Sequence, residues 1–188
     1  MTRLLLVRHA RPTENWDAAP DAGLDALGQE QAGALVGGLG SAPPLLVLTS
    51  PLRRARETAA PLAAHWGTEP RVVPAVGEIT APHVDPAERV GWLRGVLAGT
   101  WADVDERLAS WRTTLLEALG AIERDSVVFT HFVAINTAVG AATGDPRVMC
   151  CTPAHASVTE VVVDEGSLGL VSLGDETAAP MPRMGGAS

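Results

Sequence analysis

The sequence contains no lysine and no tyrosine, and only two phenylalanines and two cysteines. All fourteen basic residues are therefore arginine, which excludes any Schiff-base chemistry and any P-loop lysine. The two cysteines, Cys150 and Cys151, are neighbours and cannot tie distant segments together, so this is not a disulfide scaffold. Long apolar runs are missing as well. No stretch approaches the ~18 consecutive apolar residues of a membrane span, and the apolar start at Leu4 is too short for the core of a secretory signal. A cytoplasmic location with no membrane partner is the expectation. Positive charge is also scarce: a net charge of −8 argues against nonspecific attraction to nucleic acid or to an anionic lipid surface. Any anion site must be local.

Nearly half of the 188 residues are hydrophobic and about a fifth are charged, which is globular composition. This length fits one domain, expected over residues 1–179, with the small, polar and Pro/Gly-rich residues 180–188 expected to be a disordered tail. Three short apolar runs read as buried strands, Leu4 to Val7, Leu45 to Leu48 and Ser126 to Thr130, and Val72–Val73 suggests another strand. Two more strands, Val158 to Val163 and Leu168 to Leu173, are joined by a turn signal at Asp164–Ser167.

Helical spacing of apolar residues runs from Leu24 to Leu39, from Pro86 to Leu97, from Val104 to Ile122 and from Val133 to Ala142. A further helix is predicted to begin with Ser50 as N-cap and Pro51 as its first residue and to run to about His65, with Pro61 kinking or ending it. Alternating strands and helices define an α/β fold.

Three strand exits carry polar residues. Arg8–His9 follow the first strand, Ser50 to Arg56 the second, and His131 the strand near residue 128. Ligand crevices of open α/β sheets lie outside the carboxyl ends of the strands. If these strands are parallel neighbours, two histidines and at least two arginines converge at one edge of the sheet. Arginine offers a planar fork of donors matched to phosphate oxygens, and a helix N-terminus after Ser50 adds a favourable dipole. The constellation is one for phosphate.

The segments Leu6-Val7-Arg8-His9, Ser50-Pro-Leu-Arg53-Arg54-Ala-Arg-Glu-Thr-Ala59 and Thr130-His131 together resemble the histidine phosphatase superfamily, with its phosphoglycerate-mutase-like fold. The segment Leu24 to Ala32 is similar to the family's stretch after the active-site loop. The resemblance implies a three-layer α/β/α sandwich with a mostly parallel central sheet. It implies that His9 is a nucleophile that becomes phosphorylated, that Arg8 and Arg54 clamp the phosphoryl group, and that His131 binds its oxygens. Neither a metal nor any other cofactor is implied, and the implied partner is a small phosphorylated substrate.

Glu78 is the best match for the acid that protonates the leaving group, with Glu14, His83, Asp85 and Glu88 as alternatives. After Glu78 this chain reads Ile79-Thr-Ala-Pro-His83, where many members have Gly and an aromatic-Glu-Gly run. Asn15 matches the loop asparagine that contacts phosphate or substrate. Phe132, whose backbone N–H can bind phosphate, stands where the family often has Gly.

The function implied is metal-independent hydrolysis of a phosphomonoester through a phosphohistidine. A phosphoglycerate mutase is the first alternative, since it uses the same core. It would need extra cations between Glu78 and His131, where this chain has Arg89, Arg94, Arg107, Arg112 and Arg124, several at ordinary helix-surface positions. A weakly active phospholigand-binding module is the second. Cys150, Cys151 and His155 make a poor zinc site, because adjacent cysteines chelate awkwardly and no fourth ligand is evident.

Overall fold

A computed structural model describes residues 1–14, 21–81 and 83–177. Asn15 and the 180–188 tail lie outside the described residues. In chain order the elements are β1 (Thr2–Arg8), α1 (Ala26–Leu39), β2 (Leu46–Thr49), α2 (Arg53–Trp66), β3 (Arg71–Val72), α3 (Arg89–Ala98), α4 (Glu106–Gly120), β4 (Ser126–Thr130), α5 (Phe132–Thr143), β5 (Val158–Asp164) and β6 (Ser167–Ser172). The strands form one sheet in the order β3-β2-β4-β1-β5-β6. The pairs β3–β2, β2–β4 and β4–β1 are parallel, and β5 and β6 close the other side antiparallel.

Period-two alternation sorts the β1 side chains into two cores. Leu4 and Leu6 pack with Leu115 and Leu119 of α4 and with Ala134, Ile135, Ala138 and Val139 of α5. Leu5 and Val7 face the opposite way, onto Leu35 of α1 and Ala55, Ala59, Leu62 and Ala63 of α2. The apolar run Leu4 to Val7 within β1 is therefore buried on both faces of the sheet. The sandwich has three layers. A third cluster joins α3 and α4 to the start of α5, with Trp92, Leu93, Trp101, Trp111 and Phe132 packed around Ile79, Leu108, Val133 and Val148.

Three sequence expectations are corrected here. Ser50 does not cap α2, which begins at Arg53 with Leu52 in the cap position and no side-chain cap bond; the Ser50 hydroxyl accepts from the Leu52 N–H at 3.2 Å, just ahead of the helix. Pro61 does not end the helix, which continues to Trp66 and stops at Gly67 in the left-handed region, φ 62°. Helix α1 starts at Ala26 rather than Leu24, because Asp25 is its cap and accepts from the Gly28 N–H at 2.7 Å.

Candidate active site

Strand register brings the three polar exits together. Arg8 lies opposite Thr130 and Thr49 opposite Phe129, so β1, β4 and β2 end side by side. The ladder extends one step further: the His9 N–H donates to the Thr130 carbonyl and the Ser50 N–H to the Phe129 carbonyl, both at 2.9 Å. His9 and His131 thus emerge from adjacent strands, with ring centroids 5.2 Å apart. Both are buried.

His9 has a defined tautomer. Its Nδ1 lies 2.8 Å from the Ala10 carbonyl oxygen, which can only accept, so Nδ1 carries the proton and the Nε2 of the neutral ring keeps its lone pair. Burial holds His9 well below the usual imidazole value, and the Arg54 and Arg8 charges lower it further against the opposing Ala10 bond. The ring is neutral near pH 7. Ala10 is fixed in turn, since its N–H donates to Thr58 Oγ at 2.9 Å, and that hydroxyl donates to the Arg54 carbonyl at 2.6 Å.

Arg54, in the first turn of α2, is 3% exposed. Arg8 is half-buried, and desolvation brings it down to about 10, against the favourable Glu78 charge and with the Arg54 charge adding to the drop. Its Nη1 donates to the Pro153 carbonyl at 2.7 Å, and its guanidinium carbon sits 5.1 Å from the Phe132 ring centroid. Arg8 Nε and His131 Nδ1 are buried without a hydrogen-bond partner among the described residues. Buried polar atoms are nearly always satisfied, and these two stand unpaired where the β1 and β4 exits meet. The other nitrogen of His131, Nε2, bonds Ser50 Oγ at 2.7 Å.

Glu78 is carried by the loop after β3. A 3-10 turn over Pro74–Val76 ends at Gly77, and the Thr130 hydroxyl donates to the Val76 carbonyl at 2.7 Å, tying this loop to the β4 exit. The carboxylate, half-buried, accepts from the Ile79 N–H at 3.0 Å and from the Val133 N–H, in the first turn of α5, at 3.1 Å. Desolvation raises Glu78 above the ordinary carboxylate value. Those two N–H bonds and the Arg54 and Arg8 charges only partly oppose it. Protonation is thereby favoured at a group facing both arginines. Glu14, His83, Asp85 and Glu88 are exposed.

Arg8, His9, Arg54, Glu78, His131 and Phe132 are thus brought together, while Asn15 lies outside the described residues. Arg11 and Arg53 are engaged elsewhere, with Asp25 and Glu57, each at 2.6 Å. Four contributors escaped the sequence reading of the site: Ser50 as partner of His131, Thr58 as support for Ala10, the Pro153 carbonyl on Arg8, and His155. The His155 ring centroid lies 5.6 Å from that of His9. Its turn is closed by the Ala156 N–H to the Arg8 carbonyl at 3.0 Å, with Ala156 at φ 58°, a strained value for a residue with a Cβ. Burial, Arg8 and Arg11 hold His155 down to about 4, with Asp25 opposing.

The sequence profile described as the histidine phosphatase superfamily (branch 1) matches residues 4–176. The chain belongs to this superfamily. The uncharacterized protein Rv0525 of Mycobacterium tuberculosis is 30% identical over 185 residues, covering 87% of this chain and 91% of that protein. A PE-PGRS family protein of the same organism is 40% identical over 90 residues, but the match spans only 15% of its length and 44% of this chain. Solved histidine phosphatase folds are similar in shape. A mycobacterial glucosyl-3-phosphoglycerate phosphatase with inorganic phosphate superposes with TM-score 0.69 at 24% identity, covering 94% of this chain and 98% of the other. A phosphoserine phosphatase of Entamoeba histolytica superposes with TM-score 0.73 at 20% identity, covering 93% and 98%.

Proposed function

We propose that this superfamily member hydrolyses small phosphomonoesters through a phosphohistidine at His9, without a metal. The observation that carries the reading is the His9 tautomer: Nδ1–H is held by the Ala10 carbonyl, which leaves Nε2 as a nucleophile among Arg8, Arg54 and His131. Attack by Nε2 on phosphorus displaces the alcohol and leaves the phosphoryl group on the ring. Water then cleaves the P–N bond, so one hard displacement becomes two easier ones. Arg8 and Arg54 supply fixed positive charge to the equatorial oxygens in a buried setting, where it acts strongly. His131 donates to the same group. Glu78, raised by burial, protonates the leaving alkoxide and, once ionised, takes the proton of the attacking water.

Hydrolysis is favoured over mutase transfer because two of the five arginines between Glu78 and His131 are engaged on tryptophans. Arg107 lies 5.9 Å from the Trp92 ring centroid and Arg112 5.5 Å from that of Trp101. The similar folds include phosphatases named for glucosyl-3-phosphoglycerate and phosphoserine, and phosphorylated metabolites of that size are the substrate class proposed.

The test is turnover of p-nitrophenyl phosphate and a panel of metabolite monophosphates in excess chelator, by the wild type, His9→Ala and Glu78→Gln. Turnover should survive chelation and vanish in His9→Ala. Glu78→Gln should lose about 10²–10⁴-fold on metabolites and far less on the activated ester, whose leaving group needs no proton. An inert wild type, or a fully active His9→Ala, overturns the proposal.

A further inference from the structure

Cys150 and Cys151 take no part in the chemistry above, yet two separate structural routes lead from them to Arg8. Asn136, wholly buried in α5, accepts with one oxygen, Oδ1, from the Cys150 N–H and the Cys151 N–H, both at 2.8 Å. Its Nδ2 donates to the Phe132 carbonyl at 3.0 Å, and the Phe132 ring lies on the Arg8 guanidinium. The second route runs along the chain, two residues on from Cys151, to the Pro153 carbonyl that receives Arg8 Nη1. Both sulfurs are gathered on the same residue: Cys150 Sγ lies 3.5 Å from the Asn136 carbonyl oxygen and Cys151 Sγ 3.4 Å from Asn136 Oδ1. Cys150 is half-buried and Cys151 buried.

We propose that Cys150 and Cys151 form a reversible oxidation site, closing to a vicinal disulfide that displaces Arg8 from its phosphate-binding position. The displacement of a phosphate clamp rests on the function proposed above, whereas the disulfide does not. Closure cannot leave the loop as it stands. Adjacent Cα atoms are about 3.8 Å apart across a trans peptide, and disulfides span roughly 4.4–6.8 Å, so the Cys150–Cys151 peptide must distort. Two N–H groups sharing one Asn136 oxygen cannot both follow that distortion. A strained disulfide of this kind is readily reduced, which suits a reversible modification.

The asymmetry of the pair sets the order of events. Cys150 is the more exposed thiol and Cys151 the buried one, so Cys150 meets the oxidant first, as its thiolate. Its sulfur attacks one oxygen of a hydroperoxide, the O–O bond breaks, and Cys150 becomes a sulfenic acid while the other oxygen leaves as water or alcohol. The Cys151 thiol then attacks the sulfenic sulfur. An S–S bond forms, the S–O bond breaks, and the hydroxyl leaves as water with the Cys151 proton. The thiols lose two electrons and the hydroperoxide gains them.

The experiment treats the full chain with hydrogen peroxide, then follows intact mass, alkylation, amide exchange and inorganic phosphate binding. The expected product is a monomer lighter by two hydrogens, with both cysteines resistant to alkylation. Amide exchange should rise at Cys150, Cys151 and residues 132–136. Phosphate affinity should fall about tenfold or more, the size of one misplaced charged hydrogen bond. Dithiothreitol should reverse every change, and Cys150→Ser and Cys151→Ser should each abolish them. Oxygen additions without loss of two hydrogens overturn the proposal, as does a disulfide that leaves both amide exchange and phosphate affinity untouched. A reduced protein that binds no phosphate refutes the proposed function instead, while mass and exchange still decide the disulfide.

Discussion

The support beneath the nucleophile can be removed one oxygen at a time at Thr58. This side chain is fully buried and its hydroxyl holds the Ala10 N–H, while the Ala10 carbonyl holds His9 Nδ1. Thr58→Val keeps the shape and the β-branch but deletes the acceptor. The Arg54 carbonyl, the hydroxyl's other partner, lies one helical turn before Thr58 in α2 and retains a backbone N–H partner in the ladder. The Ala10 N–H is left buried and unpaired, at a cost of about 1–3 kcal/mol.

The nucleophile should suffer separately, because a shift of Ala10 turns the imidazole away from phosphorus, and a misplacement of this kind costs roughly ten- to a hundredfold in rate. Urea unfolding gives the first number and kcat/KM on p-nitrophenyl phosphate the second. Thr58→Ser is the control: it keeps the hydroxyl and loses a buried methyl, so stability should fall by about 1 kcal/mol with the rate preserved. A Thr58→Val protein that unfolds within about 0.5 kcal/mol of the wild type and retains its full rate would refute the linkage from Thr58 through Ala10 to His9.

Other outcomes follow from the same geometry. His9 and His131 are held well below the ordinary imidazole value, and His155 is brought down to about 4. The unfolded chain therefore binds protons that the folded chain refuses, and stability should fall as pH drops below about 6.5. Glu78 has the opposite sign: raised in the fold, its contribution declines as pH climbs from the ordinary carboxylate value through its folded value. Melting temperatures measured from pH 7 to pH 5 in wild type, His155→Asn and Glu78→Gln separate the two, and a flat wild-type profile would contradict the histidine assignment. Gly28→Ala would put a Cβ 2.1 Å from the Arg11 carbonyl oxygen, forcing the loop after β1 off α1. It should destabilise by about 1–3 kcal/mol and raise KM, both measurable on the purified variant.

Local pattern reveals what is built locally. The apolar runs ending at His9 and His131 could be read as strands with chemistry at their exits because a buried parallel strand needs no partner to look apolar. Glu78 could be placed only by resemblance, since its position depends on a Thr130 hydroxyl holding its loop from 54 residues away. Ser50-Pro51 satisfies every rule for a helix start. The hydroxyl, bonded to His131 81 residues on, accepts locally only from the Leu52 N–H at 3.2 Å, and the helix begins one residue later at Arg53. His155 enters the sequence reading only as a zinc ligand beside the cysteines: it reaches His9 because β5 runs antiparallel beside β1, and no period or spacing encodes that adjacency.

The chain leaves the site after Thr13 and returns at Gly23, and the two points are fastened together. Thr13 N–H donates to the Gly23 carbonyl at 2.9 Å, the Asp25 N–H to the Arg11 carbonyl at 3.2 Å, and the Leu24 N–H to Glu57 at 2.6 Å. A stretch whose ends are already clasped is a cassette. Doubling its length adds only about 0.6 kcal/mol of closure entropy, and its residues can be exchanged without moving His9. The residues between the two clasps can therefore be lengthened, shortened or rewritten at little cost in closure entropy, while His9 stays anchored by Thr130 and Ala10 by Thr58.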